Sequence, residues 1–223
     1  MGTAPDLIHS NDWQTGLIPV LLKTDYQHHS CFEATRTLIT IHNLAYQGLF
    51  DYEKLAVTGL PAEYFNWKHV EFYGKVNLLK TGIVFADMIN TVSPTYAREI
   101  REPEQGCGLE GVLRERAGEL TGILNGIDVA DWNPAIDPFI EENFSSDFDV
   151  RIGSSGKSAC KRALQKEANL KQDIDMPLIG IVGRLASQKG WSLIVPVMKE
   201  FLENTNVQWI VLGTGDPGYH HQL

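Results

Sequence analysis

Residues 177–190 read Pro-Leu-Ile-Gly-Ile-Val-Gly-Arg-Leu-Ala-Ser-Gln-Lys-Gly, and this stretch decides the fold class. Its first six residues form an apolar run that predicts a buried β-strand, and Gly183 ends that strand. Arg184 and Lys189 follow on the loop that leads into the next predicted helix. In an open parallel α/β sheet, ligands bind beyond the carboxyl ends of the strands. The stretch therefore predicts a doubly wound α/β fold in which two cations face an anionic ligand, with phosphate as the first candidate.

Composition limits the possible functions. The chain has 223 residues, of which 43% are hydrophobic and 21% charged, as expected of a globular protein with one large domain or two smaller ones. A formal net charge of −9 argues against broad nucleic-acid or anionic-membrane binding, so any anion site must be local. No membrane span or signal peptide is predicted. Three cysteines without C-x-x-C spacing fit a reducing compartment, which predicts the cytoplasm.

Strand and helix patterns alternate along the chain, which is typical of parallel sheets. We predict strands at 6–10, 37–42, 87–92, 118–127, 178–182 and 207–212, and helices at 13–23, 75–86, 94–100, 157–170 and 188–203. The domain boundary is predicted near 171–176, so that residues 1–172 and 173–223 belong to different domains. Two strands and one helix cannot bury a sheet alone, so residues 173–223 read as the beginning of a domain.

Hydrogen-bonding side chains follow the second predicted strand. His42, Asn43, Tyr46 and Gln47 alternate there with apolar residues, a pattern that favours a pocket that binds sugar hydroxyls. A single histidine at a strand end more often has a structural role. Only the neighbouring Asn43, Tyr46 and Gln47 favour a ligand-binding role for His42. Asp12 occupies the matching position after the first strand, where capping of the next helix and ligand contact explain it equally well.

Two segments match the pattern G-x-G-x-x-G, residues 106–111 and 213–218. The first does not follow a strand, so we interpret it as a loop that opens a helix. The second does follow a strand, and Gly213 and Gly215 join Gly183 as candidate substrate-binding glycines. A nicotinamide-dependent oxidoreductase would use this second pattern, but it is the weakest alternative. No metal site is predicted, because neither pair of adjacent histidines has a further ligand at a suitable spacing.

Together these residues resemble the bacterial glycogen synthase and plant starch synthase family, retaining glucosyltransferases with the GT-B architecture of two Rossmann-like domains. Five blocks in matching order carry the resemblance: His-Ser-Asn-Asp-Trp-Gln-Thr-Gly-Leu at 9–17, Thr-Ile-His-Asn-Leu-Ala-Tyr-Gln-Gly at 40–48, Asn-Thr-Val-Ser-Pro-Thr-Tyr-Ala-Arg-Glu-Ile at 90–100, Leu-Asn-Gly-Ile-Asp at 124–128, and Gly-Arg-Leu-Ala-Ser-Gln-Lys-Gly at 183–190. The resemblance implies that residues 1–172 are the C-terminal part of the first domain plus a linker. Residues 173–223 would then begin the nucleotide-sugar-binding domain.

The resemblance also implies a reaction, the transfer of glucose from ADP-glucose or UDP-glucose to the non-reducing end of an α-1,4-glucan without metal or other cofactor. Arg184 and Lys189 would stabilise the departing diphosphate, and His42 would contact the transferred glucose. Asp12 would line the same cleft, and Asn125 would lie near the donor.

The chain departs from the family pattern at both ends. It lacks the Lys-x-Gly-Gly-Leu type loop and the later acidic residue and Gly-Gly-Leu loop of full-length members. We therefore expect the isolated chain to have no transferase activity. The alternative from another functional class is a fragment that retains only glucan or nucleotide binding.

Overall fold

The computed structural model describes residues 4–144 and 155–223. The chain forms two compact units, Met1–Gly126 and Ile127–Leu223. Both contain parallel strands joined by helices, which confirms the predicted α/β class. The units divide about 46 residues before the predicted boundary at residue 172, because the helix at 155–167 is hydrogen-bonded to a strand that follows it. The assignment of 1–172 and 173–223 to two family domains stays a prediction.

Two sheets organise the first unit. Its strands are β1 (Leu7–Asn11), β2 (Arg36–Ile41), β3 (Leu49–Asp51), β4 (Glu71–Phe72), β5 (Lys75–Asn77), β6 (Met88–Thr91) and β7 (Leu120–Gly122). The main sheet has the order β1-β2-β6-β7 and every neighbouring pair is parallel. The smaller sheet, β3-β5-β4, is antiparallel. Because the strands of the main sheet are parallel, the loops after β1, β2, β6 and β7 emerge at the same edge.

The helices of the first unit are α1 (Leu17–Lys23), α2 (Leu55–Thr58), α3 (Leu78–Phe85), α4 (Pro94–Glu99) and α5 (Glu110–Glu115). α3 lies very close to α1 and β2. A Cβ atom on Gly16 would lie 2.0 Å from the carbonyl oxygen of Leu78, and one on Gly82 would lie 2.3 Å from Cδ1 of Ile39. Glycine at both positions therefore permits the close packing.

The prediction of a helix at 75–86 is wrong for its first three residues. Residues Lys75–Asn77 pair with β3 and β4, so the helix begins only at Leu78. Asn77 has extended backbone angles, and its side-chain oxygen accepts a hydrogen bond from the Lys80 amide. It is the N-cap of α3, a role that local helical periodicity did not reveal.

Apolar side chains from both faces of α3 form the core. The larger buried cluster consists of Ile39, Ile41, Leu44, Leu79, Ile83, Ala86, Ile89, Ile100, Leu109 and Leu113. Lys80 is also buried, and its ammonium donates to the carbonyl oxygens of Trp67 and Glu71. Burial lowers the pKa of Lys80, against the opposing effect of the Glu71 charge. α3 thereby anchors the segment that leads into β4.

The second unit contains α6 (Ser155–Glu167), β8 (Leu178–Val182), α7 (Trp191–Asn204), β9 (Gln208–Leu212) and α8 (Pro217–Gln222). β8 and β9 are parallel and pair in register from Leu178 with Gln208 to Val182 with Leu212. Gln165 of α6 donates from Nε2 to Oε1 of Gln208, 2.7 Å away, in a buried contact. Among the described residues, no helix is long and apolar enough to cross a membrane.

Asp87 connects the start of β6 to β2 and α1. Its contacts indicate that the stability of the fold depends on pH. Its Oδ2 accepts hydrogen bonds from the amide and hydroxyl of Thr37 at 2.7 and 2.9 Å, and its Oδ1 lies 3.2 Å from Nζ of Lys23. Burial acts to raise the pKa of Asp87, but these contacts outweigh it and hold the pKa below its usual value. This carboxylate therefore stabilises the fold above a pH of about 3.9, the usual value for aspartate. That contribution is lost as the pH falls through the lower pKa of the folded state.

We expect Asp87→Asn to lower the urea midpoint at neutral pH, and to make the midpoint fall less steeply than that of the wild type below about pH 4. Urea titrations across this pH range measure both effects. Parallel pH profiles for the two proteins would contradict the role of this carboxylate.

Candidate functional site

Asp12, the residue after β1, joins the ends of the first two strands. Its amide donates to the carbonyl oxygen of Thr40 at 2.9 Å, and its Oδ1 accepts from the amide of His42 at 2.8 Å. Asp12 makes no side-chain cap bond to the 3₁₀ helix Trp13–Thr15 that follows. The alternative of helix capping is therefore wrong, and the carboxylate instead holds the residue that follows β2.

Asp12 is held in a strained backbone conformation, with φ 53° and ψ −167°. Glycine occupies this region readily, whereas any other residue costs about 1–3 kcal/mol. The hydrogen bonds to Thr40 and His42 maintain the conformation. Such strain concentrates at functional sites, so it supports a role for Asp12 in binding.

Replacement of Asp12 separates the hydrogen bond from the charge. We expect Asp12→Ala to lower the free energy of unfolding by about 1–2 kcal/mol, because the His42 amide loses its acceptor while the strain remains. Asp12→Asn keeps an acceptor oxygen, and we expect it to stay within about 0.5 kcal/mol of the wild type. Urea denaturation measures both values. Equal stability of the alanine and asparagine variants would contradict this account.

His42 is exposed directly after β2, and Asn11, the last residue of β1, orients its ring. Nε2 of His42 lies 2.9 Å from Oδ1 of Asn11. Because an amide oxygen only accepts, this bond places the proton of the neutral imidazole on Nε2. Nδ1 is then an acceptor that a sugar hydroxyl can use. This orienting role of Asn11 was not predicted from the sequence.

The next residues form a compact turn. Oδ1 of Asn43 accepts from the Ala45 amide at 3.0 Å, and the Asn43 carbonyl oxygen accepts from the Tyr46 amide at 3.2 Å. Tyr46 is half exposed. Its side chain is therefore accessible, whereas the oxygen of Asn43 is already used within the turn and only its amide nitrogen is left for a ligand.

Gln47 points into the protein. Its side chain is buried, its Oε1 accepts from Nδ2 of Asn77 at 2.6 Å, and its Nε2 donates to the carbonyl oxygen of Cys107 at 3.0 Å. Both ends of the amide are thus used to fasten this loop to β5 and to the loop before α5. The predicted contact of Gln47 with a ligand finds no support in this geometry.

Tyr96 is a positioning residue that the sequence reasoning missed. Its hydroxyl accepts from the amide of Leu44 at 3.1 Å, and Ser93 caps the first turn of α4 by accepting from the Tyr96 amide. Burial raises the pKa of Tyr96, and the negative charge of Asp12 adds to the shift, so the hydroxyl stays protonated. The signal available in the sequence was a tyrosine one turn into a helix opened by Ser-Pro.

Arg184 and Lys189 are exposed on the loop between β8 and α7. Within the described part of the second unit, neither side chain takes part in a hydrogen bond or an ion pair. The loop backbone is nevertheless fixed. The amide of Leu185 donates to the carbonyl oxygen of Thr214, and the carbonyl of Leu185 accepts from the amide of Asp216, both at 2.8 Å. Because the loop backbone is already fixed, an anion that binds here has to order only the two cationic side chains.

The candidate glycines have a steric role in this arrangement. A Cβ atom on Gly213 would lie 2.0 Å from the carbonyl oxygen of Gly183, and one on Gly215 would lie 2.3 Å from that of Leu185. The two loops therefore approach so closely that only glycine fits. This explains both glycines by packing, and their predicted contact with substrate stays a prediction.

Trp191 supports the loop that carries Arg184 and Lys189, hereafter the cationic loop. The sequence did not predict this role. Trp191 is 1% exposed at the start of α7, and its indole Nε1 donates to the carbonyl oxygen of Arg184 at 2.9 Å. Gly190, with φ 78°, makes the turn that brings the ring under the loop. An aromatic residue directly after a helix-opening glycine was the signal in the sequence.

Asn125 follows β7, two strands from β2 in the main sheet, and is exposed. It lies at the same edge of the sheet as Asp12 and His42, as the parallel order requires. Its predicted proximity to a donor stays a prediction.

Comparison with known proteins identifies the family. A model of the starch synthase catalytic domain matches residues 1–115. Glycogen synthase 2 of Geobacter metallireducens is 48% identical over 100% of this chain and 45% of its own length. A glycogen synthase of Thermosipho africanus is 49% identical, again over 100% of this chain and 45% of its own. The chain therefore spans about half the length of these curated relatives.

A solved structure shares the fold over nearly the whole chain. It is the catalytic domain of starch synthase IV from Arabidopsis thaliana bound to ADP and acarbose. The TM-score is 0.86 at 34% sequence identity, over 98% of this chain and 44% of that one. Fold and sequence similarity agree, and the chain belongs to the glycogen and starch synthase family.

Proposed function

We propose that this chain is part of a retaining glucosyltransferase that moves glucose from ADP-glucose to the non-reducing end of an α-1,4-glucan. One observation carries the proposal: Arg184 and Lys189 are unpaired within the described second unit and lie on a loop held rigid by its neighbours. The related starch synthase IV structure contains bound ADP, which supports a nucleotide as a ligand of this chain.

The two cations act on the leaving group. As the bond between glucose and the diphosphate breaks, negative charge develops on the departing phosphate oxygens. The guanidinium of Arg184 binds two such oxygens at once, and the ammonium of Lys189 adds a mobile positive charge. Groups placed in advance where charge develops stabilise the transition state more than the ground state. We propose that side chains supply this charge and that the reaction uses no metal or other cofactor.

The first unit supplies contacts to the sugar. His42 accepts a glucose hydroxyl at Nδ1, because Asn11 holds its proton at Nε2. Asp12 keeps His42 in position through its amide, and Tyr46 offers an accessible hydroxyl. Asn125 contacts the donor from the loop after β7. The partners are thus a nucleotide sugar and an α-1,4-glucan, without nucleic acid or membrane, and the cytoplasm or plastid stroma is the compartment in which such substrates occur.

Calorimetric titration of the chain with ADP and with maltoheptaose, followed by an assay for transfer of labelled glucose to glycogen, tests the proposal. Binding of both ligands is expected, with transfer in a protein that contains this chain and the remaining half of the relatives' length. Binding without transfer in that longer protein would favour a glucan-binding or nucleotide-binding module instead. Failure to bind either ligand would contradict the proposed function.

A further inference from the structure

The hairpin between β4 and β5 turns at Tyr73 and Gly74 with left-handed backbone angles at both residues, φ 48° and 79°. Two positive φ values in a two-residue hairpin are typical of the type I′ turn, which strongly prefers Asn-Gly. A bulky aromatic residue is strained at the first position. The stability of the turn therefore does not explain why a tyrosine occupies position 73.

Packing does not account for it either. Tyr73 is 83% exposed, so its ring gains little from burial. The ring is nevertheless oriented, because it stands edge-on to Phe72 with centroids 4.6 Å apart and an interplanar angle of 80°. Phe72 in turn packs against the main hydrophobic cluster. A partly buried residue that packs against the core thus orients an aromatic ring toward solvent.

The loop before α5 completes this surface and links it to the His42 loop. A Cβ atom on Gly108 would lie 2.9 Å from Cζ of Phe72 and 3.5 Å from Cε2 of Tyr73, so glycine lets the loop lie against the rings. The preceding residue, Cys107, accepts the hydrogen bond from Gln47. The ring of Tyr73 therefore lies against the loop that anchors the candidate sugar site.

The chemistry of this surface suits a polysaccharide. The face of a glucose ring carries C–H groups with partial positive charge, which are attracted to the electron-rich face of an aromatic ring. The hairpin and its neighbouring strand also carry polar groups: Glu71, which accepts from the Gly74 amide at 2.7 Å, and the exposed pair of Lys75 and Asp51 at 3.1 Å. These groups can bind sugar hydroxyls at the edges of the ring.

We propose that Tyr73 is a second contact for the α-glucan chain, away from the glucose units that meet the His42 loop. The inference rests on the proposed function, because the occupant is the same glucan. It goes further in assigning a role to a hairpin that none of the five sequence blocks includes. A contact of this kind favours long chains over short ones.

Tyr73→Asn tests the proposal, because asparagine suits the turn while the ring is lost. We expect the variant to melt about 2–4 °C higher than the wild type, since the strain is relieved. We expect its affinity for maltoheptaose to fall about three- to tenfold, with little change for maltotriose. Tyr73→Phe keeps the ring and should bind as the wild type does. Tyr26→Asn, at an exposed tyrosine elsewhere in the first unit, is the matched control and should bind unchanged.

Calorimetry and thermal melting give the result. Weaker binding of the long chain by a protein that is at least as stable supports the second contact, and excludes loss of folding as the cause. If the wild type binds maltoheptaose and Tyr73→Asn binds it equally well, the second contact is overturned while the proposed function stands. If the wild type binds neither glucan, both proposals fail.

Discussion

Replacing Arg184 with alanine is expected to weaken binding of ADP to this chain by about ten- to a hundredfold. The guanidinium is exposed and has no partner in the described second unit, so its hydrogen-bonding capacity is free for the diphosphate. A hydrogen bond to a charged group contributes about 1.5–3 kcal/mol, which corresponds to this change in affinity. In a longer protein with transferase activity, we expect the rate to fall about a hundred- to a thousandfold.

Matched variants distinguish geometry from charge. Arg184→Lys keeps the charge but loses the planar fork, so we expect it to recover only part of the affinity. Lys189→Ala removes the mobile charge and should have the smaller effect of the two alanine variants. Titration calorimetry at low and high salt measures all three. Unchanged ADP affinity of Arg184→Ala would remove the central support of the proposed function.

Replacing Trp191 with alanine is expected to lower the free energy of unfolding of the second unit by about 3–5 kcal/mol. The side chain is 1% exposed, and its removal leaves a cavity directly under the cationic loop. It also leaves the carbonyl oxygen of Arg184 without its indole donor. The loop should then lose the packing of the indole ring while the hydrogen bonds of Leu185 to Thr214 and Asp216 remain, so we expect ADP binding to weaken only moderately.

Trp191→Phe isolates the hydrogen bond from the packing. Phenylalanine fills most of the space but cannot donate to Arg184, so we expect a loss of only about 1 kcal/mol in stability. Denaturation followed by circular dichroism measures the stability of both variants, because replacing one of the five tryptophans changes the fluorescence signal itself. If Trp191→Ala is no less stable than Trp191→Phe, the ring does not support the loop in the way described.

Local pattern predicted the parallel strands well. β1, β2, β6, β8 and β9 lie within one residue of their predicted ends. Apolar runs that end in glycine or in polar residues are a property of neighbouring positions, and they form strands wherever both faces are covered. The short β3, β4 and β5 had no comparable signal. They form because their backbones pair with each other, which kept Lys75–Asn77 out of the predicted helix.

The roles of single side chains depend on longer distances along the chain. The bond from His42 to Asp12 spans 30 residues, that from Leu44 to Tyr96 spans 52, and that from Gln47 to Cys107 spans 60. The sequence correctly predicted that His42, Leu44 and Gln47 lie just after the second strand. It could not show that Asp12 and Gln47 fix the loop after β2 through hydrogen bonds to other segments.

The sequence by itself determined the α/β class and the family, because hydrophobic periodicity and the five sequence blocks are local and can be read directly from the chain. It also placed Arg184 and Lys189 on a loop after a strand, since a parallel sheet leaves that position open. Only the tertiary structure decided which residues support that loop and the His42 turn. Trp191, Tyr96 and the glycines at 213 and 215 do so through close approach and hydrogen bonds between segments that the folded chain alone brings together.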